Sequence, residues 1–97
     1  MSEDLRVVVS LRASPGKAEA VKSAAMACVA PSRAEEGNLS YVANVDVNER
    51  SRFVILEHWK DMQARERHLE SDHFREFSRA VGGDMLSEHL FYVLCPI

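Results

Sequence analysis

The stretch LSYVANVDVNERSRFVILEHW, residues 39–59, decides the fold of this chain. Residues 39–47 (LSYVANVDV) alternate between apolar side chains on one face and mostly polar ones on the other, which predicts a strand. Residues 48–51 (NERS) are typical of a turn, and residues 52–59 (RFVILEHW) predict the strand that returns from it. The stretch therefore predicts a β-hairpin in the middle of the chain.

The residues before this hairpin predict a strand and then a helix. Residues 5–11 (LRVVVSL) alternate as a strand does. Ser14 and Pro15 predict the helix start, with Ser as the N-cap and Pro at the first helical position. Pro31 is expected to interrupt the helix, and Gly37 to end one further turn in the left-handed conformation. The expected buried stripe of this helix is Ala18, Val21, Ala25, Cys28 and Val29.

The residues after the hairpin predict a broken helix and a last strand. Asp61 is expected to cap a helix that ends near Glu70, and Ser71 and Asp72 to start a second piece. This second piece carries Phe74, Phe77 and Val81 toward the core and ends at Gly82 and Gly83. Residues 88–94 predict the final strand.

The predicted order, βαββαβ, is typical of the ferredoxin-like α+β fold, a four-stranded antiparallel sheet with helices on one face. We expect a single domain over residues 5–94, because the chain has 97 residues and no linker or repeat. The strands at 52–59 and 88–94 are apolar on both faces, and short helices cover only one of them. The second face predicts a homodimer, sheet against sheet, with a shared barrel-like interior.

Composition excludes several classes of partner. The formal net charge is −3 and no Lys/Arg-rich run is present, which argues against nucleic acid. No apolar run is long enough for a membrane span, and the N-terminus MSEDLRVVVS does not resemble a secretory signal. Cys28 and Cys95 form no CxxC pair or disulfide pattern. We therefore expect a cytoplasmic protein without a membrane partner.

The runs EEGNLSYVANVD, FVILEHWKD and SDHFREF, with a histidine nine residues after Trp59, resemble the antibiotic biosynthesis monooxygenase family over residues 5–94. The resemblance implies a dimeric α+β barrel that oxidises a small aromatic quinol- or anthrone-like substrate with O₂ and uses no cofactor. It does not extend to the haem-degrading relatives, because Val9, His68 and Ser78 stand where that branch has an asparagine, a tryptophan and the axial histidine.

Within this interpretation the expected catalytic residues are His68, Trp59 and Asn44. His68 lies on the inward side of its predicted helix with Met62 and Leu69, and an imidazole can act as a base at neutral pH. Trp59 could stack on a planar substrate or donate its indole N–H, and Asn44 could donate to an oxyanion. His58 alternates with Trp59, so only one of the two lines a given pocket. The expected substrate-binding residues are Tyr41, His58 and Arg79.

No metal site is predicted. His68 and His73 are five residues apart, whereas ligands on one helix face are three or four apart. A mixed site of Glu57, His58 and His68 stays open. The neighbouring charged residues are most simply a solvated helix face: Arg65, Glu66, Arg67 and Glu70.

Two other functions stay open. An isomerase-like enzyme that processes a small phosphorylated signal molecule would need cations inside the cavity, and Arg6 and Arg79 are the expected ones. A non-catalytic dimeric module that binds a small molecule would need neither a base nor cations. Fold alone does not separate these functions.

Overall fold

The computed structural model describes residues 4–97; residues 1–3, which begin the acidic N-terminus, lie outside the described residues. The four strands form one antiparallel sheet in the order β2-β3-β1-β4, and three helices lie against one face of it. The ferredoxin-like α+β fold is therefore confirmed. Between residues 4 and 97, no helix has the length and apolar character to cross a membrane. The elements are β1 (Leu5–Ala13), α1 (Ala18–Arg33), β2 (Asn38–Val45), β3 (Arg52–Trp59), α2 (Met62–Leu69), α3 (Asp72–Ala80) and β4 (Leu86–Leu94).

Helix α1 differs from its prediction at both ends. Its N-cap is Lys17, without a side-chain hydrogen bond, and Ser14 instead accepts the Lys17 N–H at 2.9 Å through its carbonyl in the preceding turn. Gly16, at φ +80°, occupies the left-handed position of that turn. Pro31 lies inside the helix and does not interrupt it. Because the helix ends two residues later, the missing proline N–H removes only one hydrogen bond near its end.

Gly37 is needed for close approach and not for a left-handed conformation. Among the described residues, the glycines with positive φ are Gly16 and Gly83. A Cβ at position 37 would lie 2.2 Å from the Cβ of Ala64 on α2. The Gly37 carbonyl also accepts the N–H of Lys60 at 2.9 Å. These contacts hold the loop after α1 against the start of α2.

The predicted break in the second helix is confirmed. Asp61 caps α2 through the Ala64 N–H at 2.8 Å, and Ser71 caps α3 through the Phe74 N–H at 3.2 Å. Met62 does not face inward, since it is exposed at the start of α2. Because α2 buries only a small residue and a histidine, it contributes little to the apolar core.

The two faces of the sheet differ in what covers them. The helix-side face holds the core: Leu5, Val7, Leu11, Tyr41, Ile55 and Trp59. On the open face, cross-strand pairing aligns one apolar row across all four strands: Val42, Leu56, Val8 and Tyr92. Within the chain Leu56 and Tyr92 remain 46% and 56% exposed. The predicted second apolar face is therefore present.

Candidate active site

A cavity lies between the helix-side face of the sheet and helices α2 and α3. Its volume is about 540 Å³, within the roughly 300–1,000 Å³ usual for small-molecule sites. Within one chain it lies on the helix side of the sheet. Most of the lining is apolar: Val7, Val9, Ile55, Leu69, Phe74, Phe77, Val81, Leu86 and Phe91.

Polar side chains enter this cavity from the sheet and from α2. Tyr41 on β2 and Glu57 on β3 are direct neighbours in the sheet, and both are buried. Arg65 and His68 come from the same side of α2, because they are three residues apart. All four line the cavity. A phenol, a carboxyl, a cation and an imidazole thus share one small apolar space.

His68 pairs with a carboxylate from the loop after α1. Only 2% of His68 is exposed, and its Nδ1 lies 2.6 Å from Oε2 of Glu35. Burial, the largest influence, lowers the pKa of His68, so the imidazole is neutral at pH 7. A neutral ring beside a carboxylate carries its proton on Nδ1 and donates it to that carboxylate. Nε2 is then the unprotonated nitrogen of a ring that lines the cavity.

The break between α2 and α3 brings a second imidazole to the same carboxylate. Nε2 of His73 lies 2.8 Å from Oε2 of Glu35. At the break, Ser71 donates its hydroxyl to the His68 carbonyl at 2.6 Å. Because the two histidines belong to separate helices, the spacing argument that separates them on one helix is wrong. One possible ligand atom from each of Glu35, His68 and His73 lies within 4.8 Å of the other two.

Trp59 packs beside His68 but does not line the cavity. It is fully buried, and its ring centroid lies 4.7 Å from that of His68. Its indole N–H donates to Oε1 of Glu57 at 2.9 Å. This N–H is therefore already used within the chain, and Trp59 contacts both His68 and Glu57 from outside the cavity lining.

Burial also acts on the two polar groups of the sheet. It raises the pKa of Glu57, although the Trp59 N–H and the nearby Arg65 charge oppose the shift. Burial likewise raises the pKa of Tyr41, whose ring centroid lies 5.7 Å from that of His68. The phenol of Tyr41 therefore stays protonated at neutral pH, and its hydroxyl lies against the Cys28 and Ser32 side chains of α1, so Tyr41 presents its ring to the cavity.

The structure does not bring three of the predicted site residues to the cavity. Asn44 and His58 project from the open face of the sheet, because they alternate with the inward residues of β2 and β3. Asn44 donates its side-chain amide to two backbone carbonyls of the same sheet. Arg79 is exposed on α3, 2.6 Å from Glu76. A mixed metal site that includes His58 is excluded by the same alternation.

Four residues of the site are absent from the predicted catalytic and substrate-binding residues, although Glu57 and His73 are considered as metal ligands from the sequence. Only Glu57 carries a visible signal, since it is an acidic residue on the otherwise apolar inward face of β3. Arg65 lies in a run of charges typical of a solvated surface. Glu35 and His73 are 38 residues apart in the chain, and no local pattern predicts their contact.

The fold and this cavity define a small α+β protein with a largely apolar cavity of the size usual for small-molecule sites. The chain matches the model of the family described as antibiotic biosynthesis monooxygenase over residues 4–80. The chain belongs to the antibiotic biosynthesis monooxygenase family. The family resemblance expected from the sequence is thereby confirmed.

Individual relatives agree with this membership. The chain is 42% identical over 80 residues to Bacillus subtilis YcnE, whose name proposes a monooxygenase, with 82% of this chain and 83% of YcnE covered. The solved structure of PA3566 from Pseudomonas aeruginosa has a TM-score of 0.92 at 37% identity and covers 100% of this chain and 97% of that one. Rv0793 from Mycobacterium tuberculosis has a TM-score of 0.89 at 25% identity, with 97% and 95% covered.

Proposed function

We propose that this chain is a cofactor-independent monooxygenase that oxidises a small aromatic substrate of the quinol or anthrone class with O₂. The observation that carries the proposal is the Glu35–His68 pair at the wall of an apolar cavity. Membership of the monooxygenase family supports the class of reaction. Such a reaction needs a base, a water-poor space and donors for a developing negative charge.

The base in this proposal is Nε2 of His68. It takes the phenolic or enolic proton of the substrate, while the Nδ1 proton stays hydrogen-bonded to Glu35. The carboxylate then faces an imidazolium and stabilises its charge. The resulting substrate anion lies among apolar side chains, where it gives an electron to O₂ more readily than it would as the neutral phenol.

Arg65 is the cation available to the developing oxyanion. It brings a positive charge to the cavity, with its guanidinium 6.0 Å from the centroid of the Phe91 ring. The substrate supplies all the electrons: in an anthrone a ring CH₂ and O₂ become C=O and H₂O, and in a quinol the ring C–H becomes C–OH while the quinol becomes a quinone and the second oxygen atom leaves as water. The imidazolium of His68 returns its proton to the departing oxygen.

Oxygen uptake tests the proposal directly. A panel of quinols and anthrones is offered to the chain in flavin-free buffer with a chelator, and O₂ consumption is followed with an electrode. The chain should exceed the uncatalysed rate, and His68→Gln should lower kcat by about 10²–10⁴, the usual contribution of a positioned base. Arg79→Gln, on the exposed side of α3, is the matched control and should retain the rate. Uptake that equals the uncatalysed rate across the panel would refute the proposal.

A second candidate is an isomerase-like enzyme acting on a small phosphorylated molecule. The two cations that the sequence suggests for it lie outside the cavity, because Arg6 projects from the open face and Arg79 is exposed on α3. The cation that favours it is Arg65. A doubly charged phosphate group would also meet the carboxyl of Glu57, so this candidate has weaker support. A binding module without catalysis would take up an aromatic ligand and consume no O₂.

The proposal includes a homodimer formed through the open face of the sheet. Its support is the apolar row of Val42, Leu56, Val8 and Tyr92, with the charged pair Arg52–Glu88, at 2.6 Å, toward one end of the same face. A flat apolar centre with a polar rim is the usual anatomy of a protein interface. A second copy of the same face covers this row symmetrically. The cavity on the helix side remains complete within each chain.

A further inference from the structure

Glu35, His68 and His73 form a cluster of metal-ligand types that the proposed oxidation does not require. Both imidazoles direct a ring nitrogen to the same carboxylate oxygen, at 2.6 Å and 2.8 Å. Two histidines and one carboxylate are a ligand set of known zinc sites that keep one coordination position open. The three ligand atoms lie within 4.8 Å of one another, each from a different segment of the fold.

The ligand atoms have to shift to hold an ion. Zinc binds such ligands at about 2.0–2.2 Å, so tetrahedral ligand atoms stand about 3.3 Å apart. The nitrogen–oxygen distances of 2.6 Å and 2.8 Å therefore have to widen by about 0.7 Å and 0.5 Å, and a pair of ligand atoms near the 4.8 Å limit has to close by about 1.5 Å. The backbone at two of the three ligands is already held by hydrogen bonds. The Glu35 N–H donates to the Ser32 carbonyl at 3.1 Å, and the His68 carbonyl accepts the Ser71 hydroxyl at 2.6 Å.

We propose that Glu35, His68 and His73 bind one divalent transition-metal ion of the zinc type, and that the bound ion inhibits the chain. A metal on Nδ1 of His68 requires that nitrogen to be unprotonated, so the ring proton moves to Nε2. Binding through Nε2 of His73 likewise requires that nitrogen to be unprotonated. Nε2 of His68 then has no lone pair for a substrate proton. The inhibitory half of this inference rests on the proposed function; the binding half does not.

Metal binding is tested without any substrate. The chelator-treated and dialysed chain is titrated with Zn²⁺ by calorimetry and with Co²⁺ by visible absorption, which reports the coordination of the ion. One ion per chain should bind with a visible band for low-coordinate Co²⁺. His73→Gln should weaken binding at least about tenfold, whereas His58→Gln, a histidine on the open face, should bind as the natural chain does. No Co²⁺ band up to millimolar ion, or equal affinity in His73→Gln, would overturn the site.

Inhibition is tested separately. With a substrate that the chain oxidises, stoichiometric Zn²⁺ should abolish O₂ uptake, and a chelator should restore it. His73→Gln, compared with its own rate of O₂ uptake without metal, should lose its sensitivity to Zn²⁺. Uptake that persists, or rises, in the one-to-one zinc complex would refute inhibition while leaving the binding site intact. If no substrate is oxidised, the proposed function and its inhibition both fail, and the titrations still decide the metal site.

Discussion

Gly37→Ala tests how the loop after α1 determines the geometry of the site. The added Cβ would lie 2.2 Å from the Cβ of Ala64, well inside van der Waals contact. The φ of Gly37 is not positive, so alanine meets no left-handed strain there. Either the loop that carries Glu35 or the start of α2 must therefore move. This movement should separate Glu35 from His68.

The expected loss of stability in Gly37→Ala follows from the overlap between the new Cβ and the Cβ of Ala64. Forced overpacking of a well-packed contact costs about 1–3 kcal/mol, and each kcal/mol lowers the Tm of a domain of this size by about 4–8 °C. Ala64→Gly alone should cost about 1 kcal/mol as a helical glycine, with about 0.8 kcal/mol more for the lost buried methyl group. In the double variant the methyl group at position 37 enters the space vacated at position 64. If the two substitutions act independently, the double variant should lose about 3–5 kcal/mol of unfolding free energy. If the second substitution relieves the clash, the unfolding free energy of the double variant should stay near that of Ala64→Gly alone.

A double-mutant cycle measures this difference. The free energy of unfolding is taken from urea curves at one fixed chain concentration, and the NMR signal of the His68 Nδ1 proton reports its hydrogen bond to Glu35. The signal should change in Gly37→Ala and return in the double variant. Gly16→Ala is the control: its φ of +80° disfavours alanine, but no atom lies within 4 Å of the new Cβ. The loss of unfolding free energy in Gly16→Ala should add to that in Ala64→Gly without an interaction between the two. Additivity of Gly37→Ala and Ala64→Gly within about 0.5 kcal/mol would refute the steric argument.

Two further predictions concern Glu57 and the open face. Because burial raises the pKa of Glu57 above its unfolded value, the stability that this group contributes is full below the unfolded pKa and is lost as the pH rises through the folded pKa. Glu57→Gln keeps an acceptor for the Trp59 N–H, so its Tm relative to the natural chain should rise from pH 4 to pH 8; parallel melting curves over this range would contradict the assignment. Leu56→Asp places a charge in the middle of the open apolar row and should convert a sedimenting dimer into a folded monomer, whereas Met26→Asp, at a 60% exposed position of α1, should remain dimeric. A natural chain that sediments as a monomer at micromolar concentration would refute the proposed dimer.

The sheet could be predicted from the sequence because strand alternation is a local property. Side chains of a strand alternate between its two faces. This alternation alone predicts that Trp59 of β3 faces the helices and that His58 faces the open side. Helix ends were less predictable, since packing decides them. Pro31 continues α1 although its local preference is to interrupt a helix, and Gly37 is required by a contact with Ala64 far along the chain. Neither effect has a local sequence signature.

The site was only partly predictable for the same reason. The inward position of His68 follows from helical periodicity, and the structure buries it. Its carboxylate partner does not follow, because Glu35 and His68 are 33 residues apart and meet only through tertiary structure. Asn44 was selected for its chemistry on the polar face of β2, and that face turned out to be the open one. Residue type alone therefore favoured a side chain that the strand places on the wrong side.

The register of β3 links the cavity to the proposed dimer surface. Glu57 pairs with Tyr41 and Val7 on the cavity side, while Leu56 pairs with Val42 and Val8 on the open side. Because side chains alternate with period two, a slip of one residue would move Leu56 into the cavity and Glu57 onto the open face. The hydrogen bond from Lys60 to the Gly37 carbonyl lies directly after β3 and opposes such a slip. The loop that carries Glu35 therefore helps to maintain both the polar groups of the cavity and the apolar row on the opposite face.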